Sequence, residues 1–476
     1  MNFLALAPEL LLTALAFVVL ISDLFVSEAR KHLLAYLSIA SLGAVMVSAL
    51  LLQGATESFY GGLLLVDGYT WFFRLFFPAT AIFVILMSLD FVRLHLRHPG
   101  EYYGFILLAT LGMMLMAAAG ELLTAYISLE LLNFSLYVLV AYAKSNLKSN
   151  EAGLKYILLS AFASAILLYG ISLIYGTLRT TTYSGLAAAL AMTPVSPGLV
   201  LGLALLIAGL GFKVAAVPFH MWTPDVYEGA PLPITALIAV AAKAAGVVLV
   251  LRLFAAGLLP AATTWIPLIA LLAALTMTVG NLMAIQQRNI KRLLAYSSIS
   301  QVGYLLVGVA ALSPLTVSAL VLYMAGYAAA TLAAFLAVTL YYNHSGREDI
   351  ADFGGLAERA PFLAFAITVA FFSLAGMPLF AGFTTKFYLF TAAAEHGLLW
   401  LVALAVLNSF ISLYYYLVVI RELYVSPPRE DRRLALSPLA NGALGVLLLG
   451  VFLVGLLPGP LLEFTRLAAL ALGRPA

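Results

Sequence analysis

Three lysines and one glutamate, Lys213, Lys243, Lys386 and Glu130, sit deep inside segments of this 476-residue chain that are otherwise apolar. An isolated charge near the centre of a bilayer costs at least about 2.5–3.5 kcal/mol. Buried groups that gain and lose protons are what a proton or ion path requires. Each has a plainer reading. Glu130 could be neutralised, or capped by a hydroxyl such as Ser135; otherwise it pairs with a buried lysine. It falls about eight residues into its helix, roughly 12 Å below the surface at 1.5 Å per residue. Lys213 could snorkel toward the helix end near His220. Lys243 lies mid-helix among Ala239-Val240-Ala241-Ala242 and Ala244-Ala245-Gly246-Val247, where snorkelling is difficult. Lys386 follows Gly382-Phe383-Thr384-Thr385, whose two hydroxyls are expected to bond freed carbonyls or a water chain.

Other charges are more ambiguous. Lys155 is close enough to a helix end to reach the surface, or else serves as a relay. Arg74 does not give up its proton and reads as an anchor. His220, beside Pro218 and Trp222, is either a satisfied polar contact or a near-neutral relay between Lys213 and Lys243. Asp225 and Glu228 read as solvated loop charges or as interhelix pairs.

The elements that must carry these residues are membrane helices. The chain is 64% hydrophobic and 9% charged, against about 25% charged in soluble domains. Its net charge of +3 is too small and too scattered to suggest a nucleic-acid partner, and none is expected. With no cysteine it forms no disulfide, no thiolate nucleophile and no cysteine-ligated iron–sulfur cluster. No phosphate-binding loop, dinucleotide fingerprint or spaced metal-ligand cluster is present. The apolar N-terminus contains Glu9 and Asp23 and lacks a basic lead, so it reads as a first span and not a signal peptide. Fourteen spans are predicted, near 3–24, 32–53, 69–92, 102–119, 122–142, 151–176, 198–218, 232–254, 265–285, 293–312, 315–342, 361–392, 398–420 and 438–458. The seventh runs into Pro218, Pro224, Pro231 and Pro233. The twelfth contains Gly376, Pro378 and Gly382, so both should be broken.

Basic residues fall in alternate loops: Arg30 and Lys31; Arg93 and Arg97; Lys144 and Lys148; Arg288, Lys291 and Arg292; Arg347 and Arg359; Arg421, Arg429, Arg432 and Arg433. The other loops and the C-terminus carry only Arg179, Arg252, Arg466 and Arg474. The positive-inside rule then places both termini on the periplasmic side of a bacterial cytoplasmic membrane. A faint repeat relates 125–130 to 295–300 and 250–253 to 419–422, a shift of 169–170 residues. Two inverted five-helix blocks are expected, giving an N-terminal three-helix segment (1–100), a first block (101–258), a second block (259–425) and a C-terminal helix and tail (426–476).

The run Pro218-Phe219-His220-Met221-Trp222-Thr223-Pro224-Asp225-Val226-Tyr227-Glu228-Gly229-Ala230-Pro231 resembles the loop signature of the antiporter-like subunits of respiratory complex I. Lys213 and Lys243 fall where that family places its central lysines. Glu130 in Ser128-Leu129-Glu130-Leu131, the run 288–299 and Ser373-Leu374-Ala375-Gly376-Met377-Pro378 are further matches, and together they span about 100–425. Lysine at 386 and Thr223-Pro224-Asp225-Val226-Tyr227-Glu228-Gly229 are similar to the N type of the bacterial NADH:quinone oxidoreductase. The resemblance implies a proton-translocating subunit with no cofactor or redox centre of its own. FMN, iron–sulfur clusters and quinone would belong to partner subunits, and other antiporter-like and small membrane subunits would be its neighbours. It also implies roles: Glu130 and Lys213 as input pair, Lys243 as central relay, Lys386 as exit lysine and His220 as an assistant. Two alternatives stay open: a subunit of a multi-subunit cation/proton antiporter of the Mrp kind, and a non-pumping structural subunit whose buried charges hold helices together.

Overall fold

A computed structural model describes residues 3–194, 196–428, 434 and 436–472; Arg429, Arg432, Arg433 and Arg474 lie outside the described residues. The chain folds as helices α1 (Ala7–Phe25), α2 (Leu33–Leu51), α3 (Gly68–His95), α4 (Pro99–Ala118), α5 (Leu122–Val140), α6 (Leu147–Leu178), α7 (Tyr183–Met192), α8 (Pro197–Val214), α9 (Trp222–Gly229), α10 (Leu232–Leu237), α11 (Lys243–Ala256), α12 (Ala262–Ala284), α13 (Ile290–Ala310), α14 (Pro314–Ser345), α15 (Leu356–Arg359), α16 (Pro361–Ala375), α17 (Ala381–Glu395), α18 (Leu399–Tyr424), α19 (Pro438–Leu456) and α20 (Gly459–Leu472). A π-helical stretch, Ile238–Ala242, joins α10 to α11 without a break. Among the described residues, thirteen helical segments are long and apolar enough to cross a membrane. The remaining expected span, 361–392, is split into α16 and α17. This is a polytopic membrane protein of the expected class.

Polar residues set the helix ends. Asp67 accepts from the Thr70 amide at 2.8 Å, Glu121 from that of Thr124 at 2.7 Å and Asn289 from that of Lys291 at 2.9 Å, each satisfying an orphan N–H of the first turn. Proline opens α4, α8, α14, α16 and α19, where its missing N–H costs nothing. Three elements go beyond the span count. Strands Glu57–Phe59 and Leu64–Val66 form an antiparallel hairpin, α7 follows α6, and α20 packs on α3 and α14. All are too short for an 18-residue apolar window to reveal.

Burial sorts the helices. The spans Leu232–Ala256 and Ile290–Ala310 are enclosed completely, whereas only 28% of the most apolar stretches of α6 and α19 is covered. The centre of the bundle therefore consists of α10–α11, α13 and most of α14, and α6, α12, α18 and α19 present apolar faces outward. Contacts gather the loops of the basic set at one end. His95 meets Tyr342 at 5.3 Å between ring centres, Tyr142 donates to the His98 carbonyl at 2.5 Å, Lys148 and Arg292 share Glu228, Lys291 pairs with Glu348 at 2.6 Å and Gly355 bonds Glu422 through the backbone. One residue counted with the opposite loops belongs elsewhere. Arg252 is buried on α11 and clamps Asp67 with two bonds of 2.7 and 2.9 Å. Burial would raise the Asp67 carboxyl, but the Arg252 guanidinium holds it below its ordinary value.

Candidate functional site

The three lysines are buried and Glu130 is half-buried, but Glu130 and Lys213 are not in direct contact. Glu130 is half-buried on α5 and accepts from Ser164 of α6 at 2.5 Å and from the Asn133 amide at 3.3 Å. The Asn133 carbonyl oxygen in turn accepts from Lys213 Nζ at 2.7 Å. Three residues apart on one helix, Glu130 and Asn133 share a face. An amide is also the side chain that can donate to a carboxylate and accept from an ammonium at once. The expected contact pair is thus an amide-bridged triad. Ser135, the expected cap, bonds its own helix at Leu131.

Lys213 is 6% exposed and turns inward to Asn133 instead of snorkelling. It occupies the last turn of α8, which Ala215 ends in the left-handed region at φ 65°. The segment that follows, with a cis Val217–Pro218 bond, is irregular, and two bonds tie its ends, whereas His220 Nδ1 within it is buried without a hydrogen-bond partner among the described residues. Trp222 Nε1 donates to the Phe212 carbonyl at 3.0 Å and the Val217 amide donates to Thr276 at 2.9 Å. The Lys213 stem packs against α11 at Gly246, where an added Cβ would lie 3.3 Å from Lys213 Cγ and 2.8 Å from Val214 Cγ1. That contact is one turn from Lys243.

Lys243 is 3% exposed and is positioned by the π-helical stretch. Its own N–H reaches back to the Ile238 carbonyl, five residues earlier. Such wide turns are frequent at functional sites. Lys243 Nζ donates to Ser298 of α13 and lies 5.2 Å from the centre of the Tyr227 ring. Tyr227 shares the same serine hydroxyl at 3.1 Å. No carboxylate among the described residues forms an ion pair with Lys243. His220 is half-buried in the irregular segment, within electrostatic reach of Lys243.

Lys386 is 5% exposed and closes the broken span. Its Nζ donates to the Leu374 and Ala375 carbonyls at 3.0 and 3.3 Å and to Ser409 at 3.4 Å, 4.7 Å from the centre of the Tyr304 ring. The last carbonyls of α16 have no partner within the helix and carry the negative end of its dipole, which suits a cation. The lysine and Gln301, at 3.0 Å from the Leu374 oxygen, therefore take the freed carbonyls expected to go to the threonines. Thr384 bonds Gly455 instead, at 2.7 Å. Glycine at 382 is required here, because a Cβ would stand 1.7 Å from the Ser373 carbonyl oxygen.

Lys155 is not part of this interior. Its side chain is 42% exposed and pairs with Asp225 at 2.8 Å and Glu151 at 2.7 Å. Arg74 is an anchor, with two bonds of 2.7 Å to Glu9 and one of 2.9 Å to the Ala5 carbonyl. Asp225 and Glu228 are interhelix pairs, both held by Arg292 at 2.9 and 3.0 Å. Burial would raise these two carboxyls, but Lys155 and Arg292 beside Asp225, and Lys148 and Arg292 beside Glu228, hold them below their ordinary values. Their stabilising contribution is therefore complete above the ordinary carboxylate range, about pH 4, and is lost as pH falls through the lowered folded-state values. Arg292→Ala should reduce the acid sensitivity of this region, read as a smaller fall in unfolding temperature on acidification than in the parent. The pairs are partly exposed, so the effect is modest.

Asn133, Ser164, Tyr227 and Gln301 were missed as site residues. A signal for part of this set exists in the sequence: Ser297, Ser298, Ser300 and Gln301 cluster on one span, and hydroxyls and amides within a membrane helix need partners.

Residues 119–412 match the family model described as NADH:quinone oxidoreductase/Mrp antiporter, transmembrane. The NADH-quinone oxidoreductase subunit N of Moorella thermoacetica is 41% identical, with all of both chains covered. A chain in the structure of respiratory complex I from Thermus thermophilus is 32% identical, with a TM-score of 0.82 over 96% of this chain and 98% of that one. A chain of the Mrp complex from Dietzia sp. DQ12-45-1b shares the fold at 22% identity, with a TM-score of 0.87 over 100% of this chain and 98% of that one. With a full-length relative at that identity and a family model over most of its length, this multi-pass chain belongs to the NADH:quinone oxidoreductase/Mrp antiporter membrane family, in the subunit N group.

Proposed function

We propose that the chain is a proton-translocating subunit of a bacterial NADH:quinone oxidoreductase, moving protons along Glu130, Lys213, Lys243 and Lys386 while partner subunits oxidise NADH and reduce quinone. FMN and the iron–sulfur clusters belong to those partners. The observation that carries this reading is Lys243: an enclosed amine held, among the described residues, by a serine hydroxyl and an aromatic face. A structural charge would be expected to have a counter-ion. The membrane is the bacterial cytoplasmic membrane, with the basic loops inside and both termini outside. The blocks 101–258 and 259–425 act as inverted halves, each with a broken helix that carries a lysine. His220 assists between Lys213 and Lys243, and Lys155 with its acidic partners lies on the cytoplasmic approach.

Glu130 is the input. It is only half-buried, so charge in a neighbouring subunit can reach it, and Asn133 transmits the change to Lys213. The energies are commensurate. Moving one charge against 100 mV costs about 2.3 kcal/mol, and a two-unit change in an amine's proton affinity is worth about 2.7 kcal/mol.

The test uses complexes carrying Glu130→Gln, Lys213→Ala or Asn133→Leu, reconstituted in liposomes. Each should transfer electrons with fewer protons moved per electron. Unchanged ratios in all three, with only the yield of complex reduced, would establish the structural reading instead. Purification of the chain without flavin and iron–sulfur subunits would favour an Mrp-type antiporter.

A further inference from the structure

Two polar routes leave the neighbourhood of Lys243 and Lys386, and they differ in chemistry. One runs through Tyr304, Asn281 and Tyr415. Asn281 donates its amide to Tyr304 at 3.1 Å and to Asn408 at 3.1 and 3.2 Å, and accepts from Tyr415 at 3.0 Å. Both its nitrogen and its oxygen are engaged, and an amide nitrogen does not release its proton as a hydroxyl does. This group ties α12, α13 and α18 together and interrupts any proton chain.

The other route contains hydroxyls. Lys243 donates to Ser298. The Tyr327 hydroxyl of α14 donates to the Ala239 carbonyl of the π-helical stretch at 3.2 Å, one turn before Lys243, and lies within electrostatic reach of Ser298. Tyr327 also lines a small cavity whose other walls include Gln301, Tyr323, Ser373, Thr385 and Lys386. That cavity has room for about one water and offers it several polar partners. Gln301 is fixed between the Tyr323 hydroxyl and the Leu374 carbonyl, so its amide is held at the cavity wall.

We propose that Tyr327 and Ser298 carry protons between Lys243 and Lys386, with one water in the cavity beside Lys386 completing the path. This rests on the proton-translocating reading above and adds two residues to it. The Lys243 ammonium releases a proton to the Ser298 oxygen as Ser298 passes its own to Tyr327. Tyr327 passes its own to the water, and the water passes one to the neutral Lys386 amine. Each hydroxyl and the water end with the protons they began with, and one positive charge moves from one lysine to the other. Rotation of the hydroxyls resets the chain.

The experiment compares Tyr327→Phe, Thr385→Val and Tyr415→Phe with Lys386→Ala in the purified, reconstituted complex, reading protons moved per electron and yield of complex. Tyr327→Phe removes only the hydroxyl. Thr385→Val keeps the side-chain volume while making the cavity wall apolar, and apolar cavities stay dry. Both are expected to show the fall in ratio seen for Lys386→Ala, and Tyr415→Phe, which loosens the brace, is expected to keep the parental ratio. A parental ratio in either Tyr327→Phe or Thr385→Val, alongside a fall in Lys386→Ala, overturns this route and leaves the lysine pathway standing. A parental ratio in Lys386→Ala as well overturns both. If Tyr327→Phe assembles poorly, Thr385→Val decides the matter alone.

Discussion

Lys243→Met should leave NADH oxidation and assembly of the complex near normal and remove this subunit's whole share of proton movement. Methionine has nearly the length and volume of the lysine stem, so packing against the small residues of α11 is kept, and the Ser298 hydroxyl still has Tyr227 as partner at 3.1 Å. What disappears is the only ionisable side chain besides the Asp67-paired Arg252 in the enclosed span Leu232–Ala256. An unaccompanied proton crossing that stretch meets a solvation cost that for an isolated ion reaches tens of kcal/mol. A rise of only about 7 kcal/mol in the barrier already slows a step roughly 10⁵-fold. Lys243→Arg separates this from a structural role. It keeps the charge, but guanidinium does not give up a proton. A complex with Lys243→Arg that pumps normally would show that charge alone suffices there, and the relay role would have to be abandoned. The measurement is protons per electron in sealed liposomes, with electron transfer recorded in the same preparation.

Arg74→Ala should be the most damaging single change to stability. Arg74 is 1% and Glu9 5% exposed; two hydrogen bonds join the pair across α1 and α3, and Arg74 adds a third to the Ala5 carbonyl just before α1. Removing one partner of a buried pair costs about 3–5 kcal/mol, because the other charge is left uncompensated. Replacing both partners by apolar groups is often neutral or stabilising. The expected pattern is therefore a strongly reduced yield and unfolding temperature for Arg74→Ala, with much of the loss recovered in the Glu9→Leu, Arg74→Leu double variant. Equal losses in the single and double variants would place the effect in packing rather than in uncompensated charge.

Some of this protein is legible in one dimension because the membrane is a simple solvent. A span must be apolar over its thickness, a loop must bear its charges on one side, and a proline or glycine within a span must break it. Those rules depend on local composition, and they identified thirteen spans, the breaks before α9 and between α16 and α17, and the three interior lysines. The same rules misplaced Arg252, since a charge near a helix end looks the same whether it faces water or a buried Asp67.

The partners of the buried charges were decided by tertiary structure. Asn133 stands between Glu130 and Lys213 because α5 presents it to α8, and periodicity does not specify which face of one helix meets another. The π-helical turn before Lys243 leaves no trace in a uniformly apolar run, where its register shift changes no hydropathy. Lys386 takes the carbonyls at the end of α16 because the two half-helices touch at Gly382 and Ser373, a contact set by the packing of α14 and α19 around them. Electrostatic cost is a property of a residue and its depth, and can be read along a chain. The bonds that offset it depend on direction and distance across several helices, and exist only once the bundle has closed.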